Sequence, residues 1–127
     1  MTQNQESGAS ANDFGRDNAA RVAKAIGAAL TEPKRSNAAT FEGRRIVIKS
    51  AKMRTTSVGV PYTLLSKVDS VVAAFEEKNG DYVIFELSVD DYRKNEKPRS
   101  TDGAAALVMK KVFLEKCREI GRLKKQK

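Results

Sequence analysis

Apolar residues recur at helical spacing in the first part of the chain, at Phe14, Val22, Ile26, Ala29 and Leu30. This spacing predicts a helix over residues 14–30, which Pro33 prevents from continuing. Residues 1–12 have no apolar period and are rich in Gln, Asn, Ser, Gly and Ala. We therefore expect a disordered N-terminal tail over residues 1–12.

Shorter apolar runs follow, and their composition is typical of strands. Residues 38–42 and 45–51 flank Gly43, which predicts a β-hairpin with a glycine in its turn. Residues 52–59 are polar and predict an exposed loop. Residues 61–68 begin with a proline and predict a short helix.

Residues 70–76 fit two structures. As a helix, they would continue an apolar stripe from residues 61–68 and end at Gly80. As a strand, they would form a hairpin with residues 82–87, because the Asn79-Gly80 dipeptide suits a two-residue turn with positive φ at both positions. This dipeptide between two runs of strand-forming residues is the stronger local signal, so the sequence favours the hairpin.

Helical signals return in the last third of the chain. Ser88 followed by two aspartates resembles a capping box and predicts a helix over residues 90–94. Residues 95–103 predict a loop. Helical spacing recurs at Met109, Val112, Phe113, Cys117 and Ile120. It predicts a terminal helix over residues 108–122, followed by a basic tail over residues 124–127.

The order of these elements predicts a small single α/β domain over residues 13–123, in which helices flank a mixed β-sheet. The chain has 127 residues, enough for one domain with a substantial core. Because aromatic residues make up only 6% of the composition, we expect an aliphatic core.

Missing residue types exclude several kinds of chemistry. The chain has no histidine, and Cys117 is its only cysteine. A disulfide within the chain, a zinc site built from Cys and His, and catalysis by a Ser-His-Asp or Cys-His group are therefore excluded. No apolar run approaches the ~20 residues that cross a membrane. We expect no membrane partner and a location in the reducing cytoplasm.

Charge is divided into blocks along the chain, whose net charge is +8. Residues 41–60 carry five cations and one anion, residues 61–92 two cations and seven anions, and residues 93–127 twelve cations and four anions. If the fold brings the two positive blocks to one side, they form a large cationic surface. Such a surface favours DNA or RNA as a partner.

The candidate phosphate-binding residues are Arg44, Arg45, Lys49, Lys52, Arg54, Lys110 and Lys111. Some of these residues also have a simpler interpretation, without a role in binding. In that interpretation, Lys49 is a solvated lysine on an edge strand, where it blocks pairing with other sheets. The lysines near the C-terminus are then the solvated face of an amphipathic helix.

The hairpin sequence resembles the core of the restriction-endonuclease-like (PD-(D/E)XK) superfamily, in Ser36-Asn37-Ala38-Ala39-Thr40-Phe41-Glu42 and Ile46-Val47-Ile48-Lys49-Ser50-Ala51. In that family a helix precedes a hairpin whose first strand carries an Asp and whose second strand ends in Glu-x-Lys. The resemblance covers residues 14–92. It implies a restriction-endonuclease-like fold and a catalytic lysine at Lys49.

The chain departs from this family at the metal ligands. Val47 stands where the family has its glutamate, and Ala39 or Thr40 where it has its aspartate. The family's cleavage chemistry needs two carboxylates to hold Mg²⁺ against the scissile phosphate. The resemblance therefore implies a nucleic-acid-binding domain with a degraded metal site and no cofactor.

Two alternatives stay open. The protein is a Mg²⁺-dependent nuclease if Glu42 or Asp17 supplies a relocated ligand beside Lys49. It is instead a protein-interaction module if an edge strand pairs with a second copy to form a homodimer. The sequence favours binding over catalysis, because it lacks both carboxylates of the family motif.

Overall fold

Two β-sheets and four helices make up the part of the chain that the computed structural model describes, which is residues 18–30, 38–98 and 105–124. In chain order the elements are α1 (residues 18–26), β1 (Ala29–Leu30), β2 (Ala38–Phe41), β3 (Arg44–Ala51), β4 (Ser57–Pro61), α2 (Tyr62–Leu65), β5 (Ser70–Glu76), β6 (Tyr82–Ser88), α3 (Val89–Asn95), β7 (Lys97–Pro98), β8 (Ala105–Met109), α4 (Lys110–Lys116) and β9 (Glu119–Leu123).

The larger sheet is mixed and has the strand order β1-β2-β3-β5-β6-β9. Strand β3 runs antiparallel to β2 and parallel to β5, and the connection from β3 to β5 passes through β4 and α2. The smaller sheet has the order β4-β8-β7. The predicted α/β class, with helices beside a mixed sheet, is confirmed.

Both predicted hairpins are present. Glu42 and Gly43 have φ angles of 50° and 78°, as expected for a two-residue turn whose twist matches that of its strands. Strand β5 pairs with β6 from Ser70 opposite Ser88 to Glu76 opposite Tyr82, so the strand alternative is confirmed. The predicted two-residue turn is wrong, because residues 77–81 connect the strands and positive φ occurs at Gly80 but not at Asn79. The Asn79 side chain instead accepts a hydrogen bond from the Asp81 N–H over 2.9 Å, which stabilises a longer turn.

The larger sheet buries side chains on both of its faces. Along β3, Ile46 and Ile48 point to one face and Val47 to the other, and all three are fully buried. On the first face, α1 covers the sheet with Ala19, Val22 and Ala23. The smaller sheet and the remaining helices cover the second face with Val58, Val60, Leu65, Tyr92, Ala106, Val108 and Phe113.

The first helix ends at residue 26, four residues earlier than predicted. Gly27 has a φ of 81°, and its N–H donates to the Lys24 carbonyl, while the Ala28 N–H donates to the Ala23 carbonyl over 2.7 Å. This pair of bonds is the helix-ending motif that favours glycine. Gly27 therefore stops the helix, and Ala29–Leu30 join the sheet as β1.

The predicted terminal helix over residues 108–122 is wrong, because only Lys110–Lys116 are helical. Val108 lies opposite Val58 in the ladder between β8 and β4, and both side chains are buried there. Strand pairing with a distant segment thus overrides the local helical spacing. Phe113, within the short helix, keeps the buried position that the spacing indicates.

Strand β9 occupies the second part of that predicted helix. It pairs with β6 and covers an edge that no other described strand covers. Gly121 allows the close approach of this strand, because a Cβ atom there would lie 3.0 Å from Cγ2 of Ile26. Ile120 and Leu123 consequently pack against the core face that α1 covers.

The boundaries of several other predicted loops and helices differ from those in the structure. Strand β4 occupies the end of the predicted loop over residues 52–59, and β7 lies within the predicted loop over residues 95–103. Helix α2 is shorter than predicted, and α3 extends one residue further at each end, with the Ser88 hydroxyl accepting from the Asp91 N–H as its cap. The predicted tail over residues 1–12, Asp17 and residues 125–127 lie outside the described residues.

Candidate nucleic-acid interface

Lys49 lies on an inner strand, since β3 runs between β2 and β5, and the edge-strand interpretation is wrong. Its side chain is half-buried on the face that also carries Val47 and Ala51. Burial lowers the pKa of Lys49 below its ordinary value, and no nearby carboxylate counteracts the shift. Lys49 is therefore a half-buried cation for which the described residues provide no counter-ion.

The carboxylate proposed as a relocated ligand lies far from Lys49. Glu42 is in the turn before β3, and Lys49 is five residues along that strand from Arg44, about 16 Å away at the usual rise of a strand. The Glu42 side chain is 68% exposed and contacts Arg44 over 3.4 Å. Val47 is fully buried. Across the described ranges, no group of three or more His, Cys, Asp or Glu residues is placed to share a metal ion.

The two arginines at the start of β3 differ in whether their side chains are already bonded within the protein. The guanidinium of Arg44 donates two hydrogen bonds to Glu86, of 3.0 and 2.9 Å, and lies 5.2 Å from the centre of the Phe41 ring. Arg45 is exposed, and its backbone N–H donates to the Asp69 carboxylate over 2.9 Å. The Arg44 guanidinium is thus already bonded to Glu86, whereas the Arg45 side chain is exposed to solvent.

Cations from the two positive blocks meet at the other end of β3. The Lys110 N–H donates to the Thr56 carbonyl over 2.7 Å, which joins the start of α4 to the loop after β3. This contact places two chain segments with basic residues beside each other, and we name these residues the cationic end: Lys52, Arg54, Lys110 and Lys111. Lys52, Arg54 and Lys111 are exposed, and Lys110 is half-buried.

A groove that sequence reasoning missed lies beside the cationic end. It has a volume of about 510 Å³, and its floor consists of Phe75, Val83 and Phe85. Met53 and Leu114 line it and are 48% and 51% exposed. No local signal in the sequence marks the groove, because its residues come from β5, β6, α4 and β9 and from two loops.

Cys117 is half-buried between α4 and β9. Burial raises its pKa, and the nearby carboxylates of Asp91 and Glu86 raise it further. Since the thiolate is the reactive form, the protonated thiol of Cys117 is a weak nucleophile at neutral pH. The fold thus assigns this residue to packing.

The fold and the cationic end define an α/β protein with a six-stranded mixed sheet and basic side chains gathered at the end of a central strand. Comparison with protein families, curated proteins and solved structures gives no match to this chain. Among the described helices, none has both the length and the apolar character that crossing a lipid bilayer requires.

Proposed function

We propose that this protein binds nucleic acid, with DNA as the expected partner, through the cationic end and Lys49, and that it does not cleave its partner. The observation that carries this proposal is the meeting of two positive blocks, far apart in sequence, at Thr56 and Lys110. Binding to phosphates needs clustered cations and no particular base contact. The reducing cytoplasm is the location that we propose for this activity.

Three cations of this surface support the proposal. Arg54, Lys110 and Lys111 form no ion pair with a carboxylate of the described residues, in contrast to Arg44 with its two bonds to Glu86. The ammonium of Lys110 instead lies 5.5 Å from the centre of the Phe75 ring. Side chains without an internal counter-ion are available to a phosphate backbone.

Lys49 supports binding for a different reason. A half-buried cation without a counter-ion lowers stability, so a phosphate that approaches it supplies the missing charge. A functional requirement explains why such a residue stands where an apolar side chain packs better. Cleavage is not favoured, because Glu42 is distant from Lys49 and the position of the family glutamate is the buried Val47.

The direct test is binding to duplex DNA at several salt concentrations. We expect the logarithm of affinity to fall linearly with the logarithm of salt concentration. In the double variant Lys110→Gln/Lys111→Gln, binding is weaker and the slope is smaller by about 2, roughly one per lost phosphate contact. Fluorescence anisotropy with a labelled duplex measures both quantities.

The matched control is Lys24→Gln/Lys67→Gln, which removes the same charge from two exposed lysines outside the cationic end. An equal loss in both variants means that only net charge matters, and the assigned surface is then wrong. Undetectable binding at about 50 mM salt, where phosphate contacts are strong, overturns the proposal itself. Cleavage of a plasmid by the purified protein in the presence of Mg²⁺ overturns the proposal that the protein does not cut nucleic acid.

Replacing Lys49 by methionine is expected to raise the free energy of unfolding at pH 7, by about 0.5–2 kcal/mol, while weakening DNA binding. The folded-state pKa of Lys49 is lowered, so the unfolded chain binds more protons between the folded and unfolded pKa values. Wild-type stability therefore rises with pH in this window. The stability gained in the methionine variant is largest at pH values below this window. It shrinks as the pH approaches the pKa of lysine in the unfolded chain, about 10.4.

Urea unfolding of both proteins at pH 7 and near the unfolded pKa measures this difference. Destabilisation by Lys49→Met at pH 7 would mean that the amine has a counter-ion. Stabilisation without weaker DNA binding would leave Lys49 outside the interface.

A further inference from the structure

We infer that Asn79 is a site of spontaneous modification, at which the side-chain amide is converted to a carboxylate, and that the docking of β9 controls the rate of this conversion. The inference is independent of nucleic-acid binding. It starts from the turn between β5 and β6, residues 77–81, where an exposed Asn79 precedes Gly80. Glycine has no side chain that shields its backbone nitrogen, so this nitrogen can approach the amide of the preceding residue.

The conversion needs only water as a co-reactant. The backbone nitrogen of Gly80 attacks Cγ of Asn79, and the new C–N bond closes a five-membered succinimide ring. The Asn79 amide nitrogen leaves as ammonia, which takes up the proton lost by the Gly80 nitrogen. Water then opens the ring at one of its two carbonyl carbons. Opening at Cγ gives aspartate, and opening at the backbone carbonyl gives isoaspartate, in which the main chain runs through Cβ and Cγ.

Hydrogen bonds hold both reacting groups in the folded turn. The Gly80 N–H donates to the Glu77 carbonyl over 2.9 Å, so the proton that must leave is engaged. The Asn79 side-chain oxygen accepts from the Asp81 N–H over 2.9 Å, and the Asn79 amide nitrogen donates to the Asp81 carboxylate over 3.4 Å. Ring closure requires the Asn79 side chain and the Gly80 nitrogen to leave these partners. The folded turn therefore slows the reaction.

Strand β9 holds this turn in place. Arg122 forms an ion pair with Glu77, and its guanidinium lies 3.8 Å from the Asp81 carboxylate. The ammonium of Lys124 lies 3.7 Å from the same carboxylate. Among the described strands, β9 pairs with β6 alone, and the register between the two shifts once. An edge strand held in this way opens at a lower free energy than the strands inside the sheet.

Release of β9 removes two cations from the turn, and the turn gains freedom. The Asn79 amide then reaches the Gly80 nitrogen more often. Conversion also leaves a lasting change, because the amide that donates to Asp81 becomes a carboxylate beside another carboxylate, and like charges repel. The extent of conversion at Asn79 therefore reflects how often β9 has left the sheet.

The test measures conversion by mass spectrometry of the peptide that contains Asn79, after incubation at mildly alkaline pH. Wild-type protein is expected to convert at least about tenfold more slowly when folded than when unfolded in guanidinium chloride, since local opening limits the folded rate. Arg122→Gln is expected to speed conversion of the folded protein about two- to fivefold, as for the loss of an exposed ion pair.

The matched control is Arg45→Gln, which removes an exposed guanidinium beside the start of β5, away from the turn that follows the end of this strand. It is expected to leave the folded rate unchanged. All three proteins are expected to convert at the same rate in guanidinium chloride, where only the sequence around Asn79 acts.

Each outcome supports or overturns one part of the inference. Absence of conversion in both states overturns the site itself, and equal rates in the folded and unfolded wild type overturn the protection by the turn. Folded rates that are equal for Arg122→Gln and Arg45→Gln overturn the control by β9. Amide exchange of the wild type keeps this control testable if Arg122→Gln fails to fold. The Gly80 N–H and the amides of β9 are expected to exchange together and before those of β5, and equal protection of β9 and β5 overturns the control.

Discussion

Replacing Phe113 by alanine is expected to lower the free energy of unfolding by about 3–5 kcal/mol, the usual cost of emptying a buried aromatic site. Phe113 is fully buried, and its ring meets that of Phe75 edge-on with 5.4 Å between centres. Such a contact adds to the cost of the lost apolar burial. Since small domains are stable by only about 5–15 kcal/mol, the variant is close to unfolding.

Leu114→Ala is the matched control for this prediction, because Leu114 is the next residue of α4 and is 51% exposed. We expect it to change stability by no more than about 0.5 kcal/mol. Urea unfolding followed by circular dichroism compares the two variants. Equal destabilisation by both would mean that α4 does not present Phe113 to the core as described.

Tyr92→Phe is expected to lower the free energy of unfolding by about 1–3 kcal/mol, although it removes a single oxygen atom. The Tyr92 hydroxyl lies 2.9 Å from the carbonyl oxygen of Val58 and 2.7 Å from that of Ala106. The hydroxyl therefore contacts both β4 and β8 of the smaller sheet, and the Tyr92 side chain is fully buried. Since the hydroxyl donates one proton, the substitution removes one hydrogen bond to a buried carbonyl oxygen of the smaller sheet, which is costly.

Tyr82→Phe provides the comparison for Tyr92→Phe. Tyr82 is also buried, at 5% exposure, but its hydroxyl makes no hydrogen bond to a described residue. We expect a change within about 0.5 kcal/mol. A loss for Tyr82→Phe as large as that for Tyr92→Phe would show that the two carbonyl contacts are not the cause.

The parts of the fold that could be predicted are those with local causes. Gly43 and the Asn79-Gly80 dipeptide lie in turns and mark their hairpins from sequence alone. The capped helix α3 also follows from Ser88 and the two aspartates beside it. In each case the decisive contacts lie within a few residues of one another, so a single stretch of sequence contains them.

The errors arise where distant segments pair. Val108 and Ile120 have helical spacing, but their neighbours in space are Val58 and the strand β6, which no local pattern reveals. Part of the candidate site has the same limitation. The bond between Arg44 and Glu86 joins residues 42 positions apart and removes a cation that the sequence counts as available. The absence of a carboxylate at Val47, in contrast, is visible in the sequence itself.

Strand β9 also has a consequence for how the chain is made. The first helix contacts the last described strand at the edge of the larger sheet, where Gly121 approaches Ile26 and Arg21 donates to the Lys124 carbonyl. During synthesis on the ribosome, β6 keeps an open hydrogen-bonding edge until β9 has emerged. Such an edge can pair with another nascent chain. Between the emergence of β6 and that of β9, the uncovered edge of β6 is thus open to aggregation.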